Sequence, residues 1–164
     1  MYRADKIKTN KKEEYYRQLN QLLTALIDEE KSMIANLANA AALLFHQLDN
    51  INWAGFYLLD RNQLVLGPFQ GKPACTRISV GNGVCGKAAA QKKSLNVPDV
   101  HAFPGHIACD PASRSEVVIP ILHGKELLGV LDIDSPNANR FDDADLRGLE
   151  EFVHILEKTM NHGG

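Results

Sequence analysis

Three cysteines are the residues of this chain whose chemistry is hardest to explain by packing alone. Cys75, Cys85 and Cys109 stand beside turn-forming residues, in KPACTR, GNGVCGK and HIACDPAS, where loops are expected rather than core strands. A free cysteine is most often a small buried hydrophobic residue, and that alternative stays open for each of them. Their separations of 10 and 24 residues exclude the C-x-x-C spacing of thioredoxin-type and zinc-ribbon sites. The glycines around Cys85 predict a position near a helix N-terminus, which would lower the pKa of its thiol.

A metal site is the main chemical alternative around the third cysteine. His101, His106, Cys109 and Asp110 could all ligate a metal, but only His106 and Cys109 have the close spacing typical of paired zinc ligands. We therefore predict no metal in this loop. The histidines are expected to cap turns or to cover the loop.

Carboxylates form the second reactive group. Glu116 begins the apolar run EVVIPI, and Asp132 and Asp134 are two residues apart in LLGVLDIDS, so they face the same side of a strand. Carboxylates buried there without partners would be strongly destabilising or would take up a proton. A turn or cap at the strand end, favoured by Ser135-Pro136, is the structural alternative. The functional interpretation is a cluster of acids that share a proton.

The elements that must position these residues alternate between helical and strand patterns. Apolar residues recur at helical spacing over 13–48, which predicts two helices that divide near 28–32. Short runs rich in branched and aromatic residues predict hairpins over 52–71, with its turn at Arg61-Asn62, and over 117–135. A short helix is predicted after the glycines, and a closing helix after Asp142, whose side chain can cap it. This order predicts an α+β domain, with a central antiparallel sheet and the N- and C-terminal helices packed on one face.

Composition narrows the classes of function and location. The 164 residues fit one domain, and 45% hydrophobic with 23% charged residues is typical of globular proteins. A net charge of −2 with both signs interspersed predicts binding to neither nucleic acid nor membranes. The N-terminal sequence does not read as a signal peptide and no stretch is apolar enough to span a membrane, which predicts a cytoplasmic protein. In that compartment no permanent structural disulfide is expected.

Several segments together resemble one known family. NWAGFYLL, LVLGPFQGKPAC, GNGVCG, PGHIACD, SEVVIPI and GVLDIDSP are similar to segments of the free methionine-(R)-sulfoxide reductases, which are GAF domains. The similarity runs from about residue 36 to residue 157, and the spacing of the three cysteines is its most specific part. NRFDD is similar to a motif of GAF domains in general and implies only the fold. The resemblance implies a single GAF domain over 1–164, with an N-terminal helical extension over 1–30 and a core over 31–160.

The resemblance also implies a thiol-dependent reduction. Cys109 would attack free methionine (R)-S-oxide, release methionine and become a sulfenic acid, which Cys75 or Cys85 would convert to a disulfide. The order in which those two thiols react is left open. Thioredoxin is the implied reductant, no metal or organic cofactor is required, and a homodimer is left open.

The acidic and aromatic residues complete the implied site. A sulfoxide becomes a good electrophile once its oxygen is protonated, so the thiolate needs an acid beside it. The resemblance implies that Glu116, Asp132 and Asp134 bind the substrate, with Glu116 and Asp134 as candidate proton donors. Trp53 and Tyr57 would wall the S-methyl group, although two aromatic residues on one strand face are equally typical of a core.

A sensor is the alternative function. GAF domains support unrelated activities, and the same thiols could report oxidation to a partner, or the domain could bind a small ligand. We expect the enzyme, because the sequence ends at MNHGG soon after the closing helix and contains no output domain.

Overall fold

Four α-helices and six β-strands form the described part of the computed structural model, which comprises residues 2 and 5–160. The helices are α1 (Lys12–Ile27), α2 (Met33–Gln47), α3 (Gly83–Gln91) and α4 (Asp143–Met160). The strands are β1 (Trp53–Asp60), β2 (Gln63–Gly71), β3 (Arg77–Ser79), β4 (Leu95–Val97), β5 (Ser115–His123) and β6 (Glu126–Ser135). The domain limits predicted at residues 1 and 164 lie outside the described residues.

The strands form one antiparallel sheet in the order β3-β2-β1-β6-β5-β4. Its centre consists of the two predicted hairpins, β1–β2 and β5–β6, which are joined because β1 pairs with β6. Two strands that are far apart in sequence therefore lie side by side. The short edge strands β3 and β4 were not predicted.

Three helices cover one face of the sheet. α2 and α4 pack on the sheet and α1 packs against both of them, and their apolar residues form one core with the strand residues on that side, such as Phe56, Leu131 and Ile133. Each Leu or Phe that is buried in this layer stabilises the fold by roughly 1.5–3 kcal/mol. The predicted α+β class, with the N- and C-terminal helices on one face of an antiparallel sheet, is confirmed.

A buried aspartate ties the first helix to the last. Asp145 is 1% exposed and accepts hydrogen bonds from the Tyr16 hydroxyl at 2.7 Å and from Lys12 Nζ at 2.6 Å. Asp142 caps α4, because its Oδ1 accepts from the Asp145 backbone N–H at 3.0 Å, as the sequence predicts. Asp142, in the NRFDD segment, also accepts from Lys12 Nζ at 2.9 Å, so this segment starts α4 and helps to anchor α1.

The opposite face of the sheet carries α3 and the long loop between β4 and β5. α3 begins at Gly83, among the glycines rather than after them, and Ala88 and Ala89 pack against the sheet. A second apolar cluster lies between this helix and the strand residues of the opposite alternation, including Tyr57, Val118 and Val130. Within residues 2 and 5–160, none of the helices is long and apolar enough to cross a membrane.

Candidate active site

The strand register brings the predicted acidic and aromatic residues onto one face. Trp53 of β1 lies opposite Asp134 of β6, and Asp134 lies opposite Glu116 of β5. Asp132 is two residues before Asp134 on the same strand and faces the same side. Three neighbouring strands therefore place an indole and three carboxylates on the face that carries α3.

These side chains line a cavity of about 570 Å³, a volume that includes its open mouth. Its floor is the sheet, and its walls are the N-terminus of α3, the segment 72–74 and the loop 106–113. Seven of the eight predicted site residues line it: Trp53, Tyr57, Cys85, Cys109, Glu116, Asp132 and Asp134. The eighth, Cys75, is bonded to one of the seven.

A disulfide joins Cys75 to Cys109, with their Cα atoms 5.8 Å apart. Tyr57 positions the first cysteine, because its hydroxyl donates to the Cys75 carbonyl at 2.9 Å. Asn52 fixes the loop of the second, because its side-chain amide donates to Asp110 Oδ2 at 3.1 Å. Both cysteines are partly exposed, at the rim of the cavity. The sequence left open whether Cys75 or Cys85 pairs with Cys109. In this structure the partner is Cys75.

Cys85 lies deeper and remains a free thiol. It is 4% exposed, and its Sγ is 3.9 Å from Glu116 Oε2, within reach of a weak hydrogen bond. Burial, followed by the negative charges of Asp132 and Glu116, raises the pKa of this thiol well above its usual range. The prediction that the helix N-terminus lowers the pKa of this thiol was wrong, because the thiol is buried beside carboxylates, which its local sequence does not indicate.

The pKa values of the three carboxyl groups are raised as well. Glu116 and Asp132 are each 6% exposed. Burial raises the pKa of Glu116 well above its ordinary value, and the neighbouring charges of Asp132 and Asp134 raise it further. The pKa of Asp134 is raised well above its ordinary value by burial and then by Asp132. Burial also raises the pKa of Asp132, whereas hydrogen bonds with Glu116 and Cys85 act to lower it. Clustered acids of this kind titrate as a set and can share a proton.

The aromatic wall is at the same time part of the core. The Trp53 ring stacks on Tyr57 at 5.9 Å and on Phe69 at 5.2 Å between centroids, and its indole N–H donates to the Lys72 carbonyl at 3.1 Å. Gly55 makes this packing feasible, because a Cβ atom there would collide with Phe69 and the indole. Trp53 and Tyr57 are therefore core residues, as one alternative predicts, and they also line the cavity, so the predicted contact with the substrate stays a prediction.

The two histidines of the loop occupy different surroundings. His106 lines the cavity, with its Nε2 3.9 Å from Glu116 Oε1, and burial lowers its imidazole pKa, as does the charge of His101. His101 is exposed and lies outside the cavity lining. The sulfur of Cys109 is in the disulfide, so the group of loop ligands considered from sequence does not form here.

Comparison with known proteins agrees with this geometry. A family model described as "GAF domain" matches residues 24–160. The Free methionine-R-sulfoxide reductase of Escherichia coli is 54% identical over 149 residues, which cover 91% of this chain and 90% of that protein. The structure of fRMsr of Staphylococcus aureus in its reduced form has 52% identity and a TM-score of 0.86, over 88% of this chain and 94% of that one. Free methionine-R-sulfoxide reductase from Neisseria meningitidis, solved with its substrate, has 42% identity and a TM-score of 0.90, over 94% and 93% of the two chains.

The chain belongs to the free methionine-R-sulfoxide reductase family of GAF domains. It is therefore an oxidoreductase, and the disulfide at the rim of its cavity is consistent with that class.

Sequence reasoning missed two contributors to this reductase site. The cavity wall includes Asn82, Gly83 and Val84 at the start of α3, a helix whose N-cap side chain makes no capping hydrogen bond. The free backbone N–H groups of such a first turn attract anions. Asn52 was missed as well, since nothing in its local sequence indicates a long-range contact with Asp110. The glycines of GNGVCG were the available signal for the first; they were interpreted as a helix start beside Cys85, and no substrate contact was assigned to them.

Proposed function

We propose that this protein reduces free L-methionine (R)-S-oxide to L-methionine, using the thiols of Cys109 and Cys75. The observation that carries the proposal is the Cys75–Cys109 disulfide at the rim of a cavity whose floor holds the carboxylates of Glu116, Asp132 and Asp134. The names of the Escherichia coli and Neisseria meningitidis relatives support the substrate and the R configuration.

The reduction consumes two thiols and one sulfoxide oxygen. The Cys109 thiolate attacks the sulfoxide sulfur while the sulfoxide oxygen takes up a proton. Methionine is released, and the oxygen stays on Cys109 as a sulfenic acid. The Cys75 thiol then displaces water from the sulfenic acid, which forms the disulfide. Overall, two thiols and the sulfoxide give one disulfide, methionine and water.

The proton for the sulfoxide oxygen comes from the carboxylate cluster. Glu116 and Asp134 lie opposite each other on neighbouring strands, and burial favours the neutral acid in both. General acid catalysis needs an acid that still holds its proton at the pH of the reaction. We assign the donor role to this pair.

Cys75 is the resolving thiol in this proposal, and Cys85 is not. Cys75 already lies at bonding distance from Cys109, whereas Cys85 is buried, favours the thiol form and is oriented toward Glu116. An external dithiol must reach the bond, and both sulfur-bearing residues are partly exposed. Thioredoxin is the proposed reductant, by thiol–disulfide exchange. This chemistry requires no metal or organic cofactor, and all of its side chains come from one chain.

The ends of a free amino acid find partners around the same cavity. The first N–H groups of α3 can bind the substrate carboxylate, and Asp132 can accept from the ammonium group. Asp132 Oδ1 is buried without a hydrogen-bond partner, so a substrate donor would satisfy it. The stacked rings of Trp53 and Tyr57 receive the S-methyl group. A residue within a peptide lacks the free ammonium and carboxylate that this arrangement uses.

A turnover assay tests the proposal. Purified protein is incubated with excess dithiol and free methionine-R-sulfoxide, and methionine is measured by chromatography. The proposal expects many methionines per protein molecule. A single equivalent of thiol consumed without turnover would favour the redox sensor, and binding without any thiol consumption would favour the ligand sensor.

A further inference from the structure

Cys85 lies in a cluster of side chains that the proposed reduction does not use as a whole. Cys85, Glu116 and Asp132 each direct one potential ligand atom to a common point, and these atoms lie within 4.8 Å of one another. The three residues come from α3, β5 and β6, and all are buried. A thiol and two carboxylates from three elements thus meet where the cavity reaches the sheet.

A fourth potential donor, His106 on the loop, lies beside one member of this cluster and also lines the cavity. His106 Nε2 lies 3.9 Å from Glu116 Oε1, and Cys85 Sγ lies 3.9 Å from Glu116 Oε2. In a tetrahedral zinc site the Zn–S bond is about 2.3 Å and Zn–N or Zn–O about 2.0 Å, which separates neighbouring ligand atoms by about 3.3–3.5 Å. These two pairs would have to close by about 0.4–0.6 Å, and the ligand atoms of Cys85, Glu116 and Asp132, which lie within 4.8 Å of one another, by up to about 1.5 Å.

One of the two carboxylate oxygens of Asp132 lacks a partner in the described structure. Asp132 is 6% exposed, yet its Oδ1 makes no hydrogen bond. A buried unpaired carboxylate oxygen is costly, and a cation or donor that enters the cavity removes that cost. This observation is independent of the spacing and indicates that the cluster is completed by a bound group.

We propose that Cys85, His106, Glu116 and Asp132 form a binding site for Zn²⁺. The donor set selects the ion, because thiolate and imidazole favour zinc, whereas Mg²⁺ and Ca²⁺ prefer oxygen ligands throughout. Binding releases the thiol proton to solvent, and the ion offsets the negative charge of the carboxylates.

The position of the ion would make it an inhibitor. This consequence rests on the proposed function, because Glu116 and Asp132 serve the substrate there. Zn²⁺ and methionine sulfoxide would then exclude each other. Cys85 is outside the Cys75–Cys109 disulfide, so the ion would bind whether the reactive pair is oxidised or reduced.

The oxidised protein supplies a test that does not depend on activity. With Cys75 and Cys109 locked in the disulfide, Cys85 is the one remaining thiol among the three cysteines of the chain. Co²⁺, which has a similar geometry to Zn²⁺, is titrated into this form. We expect a thiolate-to-cobalt charge-transfer band in the near ultraviolet that Zn²⁺ abolishes. The absence of that band at saturating Co²⁺ would overturn the proposal, whatever the activity of the enzyme.

Variants then locate the ion. Cys85→Ser should lose the charge-transfer band, and His106→Ala should raise the dissociation constant for Zn²⁺ by roughly 10–100-fold. His101→Ala is the matched control, because His101 belongs to the same loop but is exposed, and it should bind as the wild type does. Asp132→Asn provides a second reading if the serine variant is misfolded by circular dichroism. A band retained by folded Cys85→Ser, or equal binding by the two histidine variants, would refute the assignment.

Inhibition is measured separately in reduced protein. Zn²⁺ at ten times its dissociation constant should slow single-turnover methionine formation by about 11-fold at low sulfoxide, and saturating sulfoxide should remove the effect. A protein that binds Co²⁺ but never makes methionine would refute the proposed function and leave the metal site intact. Binding without such competition would place the ion outside the substrate cavity and overturn the inhibitory role.

Discussion

Glu116→Gln separates a proton donor from an ordinary polar contact. Glu116 is 6% exposed, faces Asp134 across two strands and is 3.9 Å from the Cys85 sulfur. Glutamine has nearly the same shape and keeps an oxygen that can accept from that sulfur, but it cannot release a proton. Loss of one hydrogen bond costs about 0.5–1.5 kcal/mol, which is roughly 2–13-fold in rate. Loss of a general acid costs roughly 10²–10⁴-fold, or about 2.7–5.4 kcal/mol. The two ranges do not overlap.

The assay is single-turnover methionine formation by fully reduced protein at saturating sulfoxide, because this step does not involve the reductant. Asp134→Asn is measured in parallel, since the two acids share the proposed role. Glu126→Gln is the matched control: it changes an exposed glutamate on the same β5–β6 hairpin, outside the cavity. Circular dichroism checks folding. If Glu116→Gln and Asp134→Asn are both folded and react within about tenfold of the wild type, the proton comes from elsewhere and the reasoning fails.

Three further outcomes are expected. Cys109→Ser should abolish methionine formation, whereas Cys75→Ser should still release about one equivalent and lose dithiol-supported turnover; near-wild-type release by Cys109→Ser, measured in the same assay, would reject the nucleophile. Free methionine-R-sulfoxide should be consumed while its S epimer and a sulfoxide-containing peptide persist, as followed by chromatography, and comparable turnover of the peptide would show that the free ammonium and carboxylate are not required. Because burial raises the pKa of Glu116, its contribution to folding is complete below the unfolded pKa and is lost as pH rises through the folded pKa. Glu116→Gln should therefore raise the melting temperature more at about pH 8 than at about pH 4, and an equal change at both would contradict the shift.

Much of the fold could be predicted because its signals are local. Helical spacing over 13–48 gave the two N-terminal helices, and the two hairpins followed from aromatic and branched runs that flank turns. The alternation of side chains along a strand was enough to place Asp132 and Asp134 on one face, which is confirmed. β3 and β4 were missed because a strand of three residues carries no measurable periodicity.

The behaviour of Cys85 could not be predicted because it depends on where α3 packs. The glycines correctly indicated a helix start, and a helix N-terminus favours a thiolate by typically 0.3–1 kcal/mol. Packing of α3 on β5 and β6 then places the same thiol among carboxylates and away from water. Desolvation of the thiol and the negative charges beside it outweigh the effect of the helix N-terminus, so the pKa of Cys85 rises. Nothing within ten residues of Cys85 in the sequence carries that information.

The acidic cluster illustrates how strand register creates a site from residues that look misplaced. Trp53, Asp134 and Glu116 are aligned only because β1 pairs with β6 and β6 with β5 in this register. A slip of one residue would turn an aspartate toward the helical core, so the apolar alternation that specifies the core also specifies the site. Burying Glu116 and Asp132 beside the half-buried Asp134 opposes folding, and the described structure offers Asp132 Oδ1 no internal partner. An unpaired buried oxygen is expected where a bound molecule supplies the missing partner. The proposed substrate, through its ammonium group, and the proposed zinc ion would each supply a partner to Asp132 Oδ1.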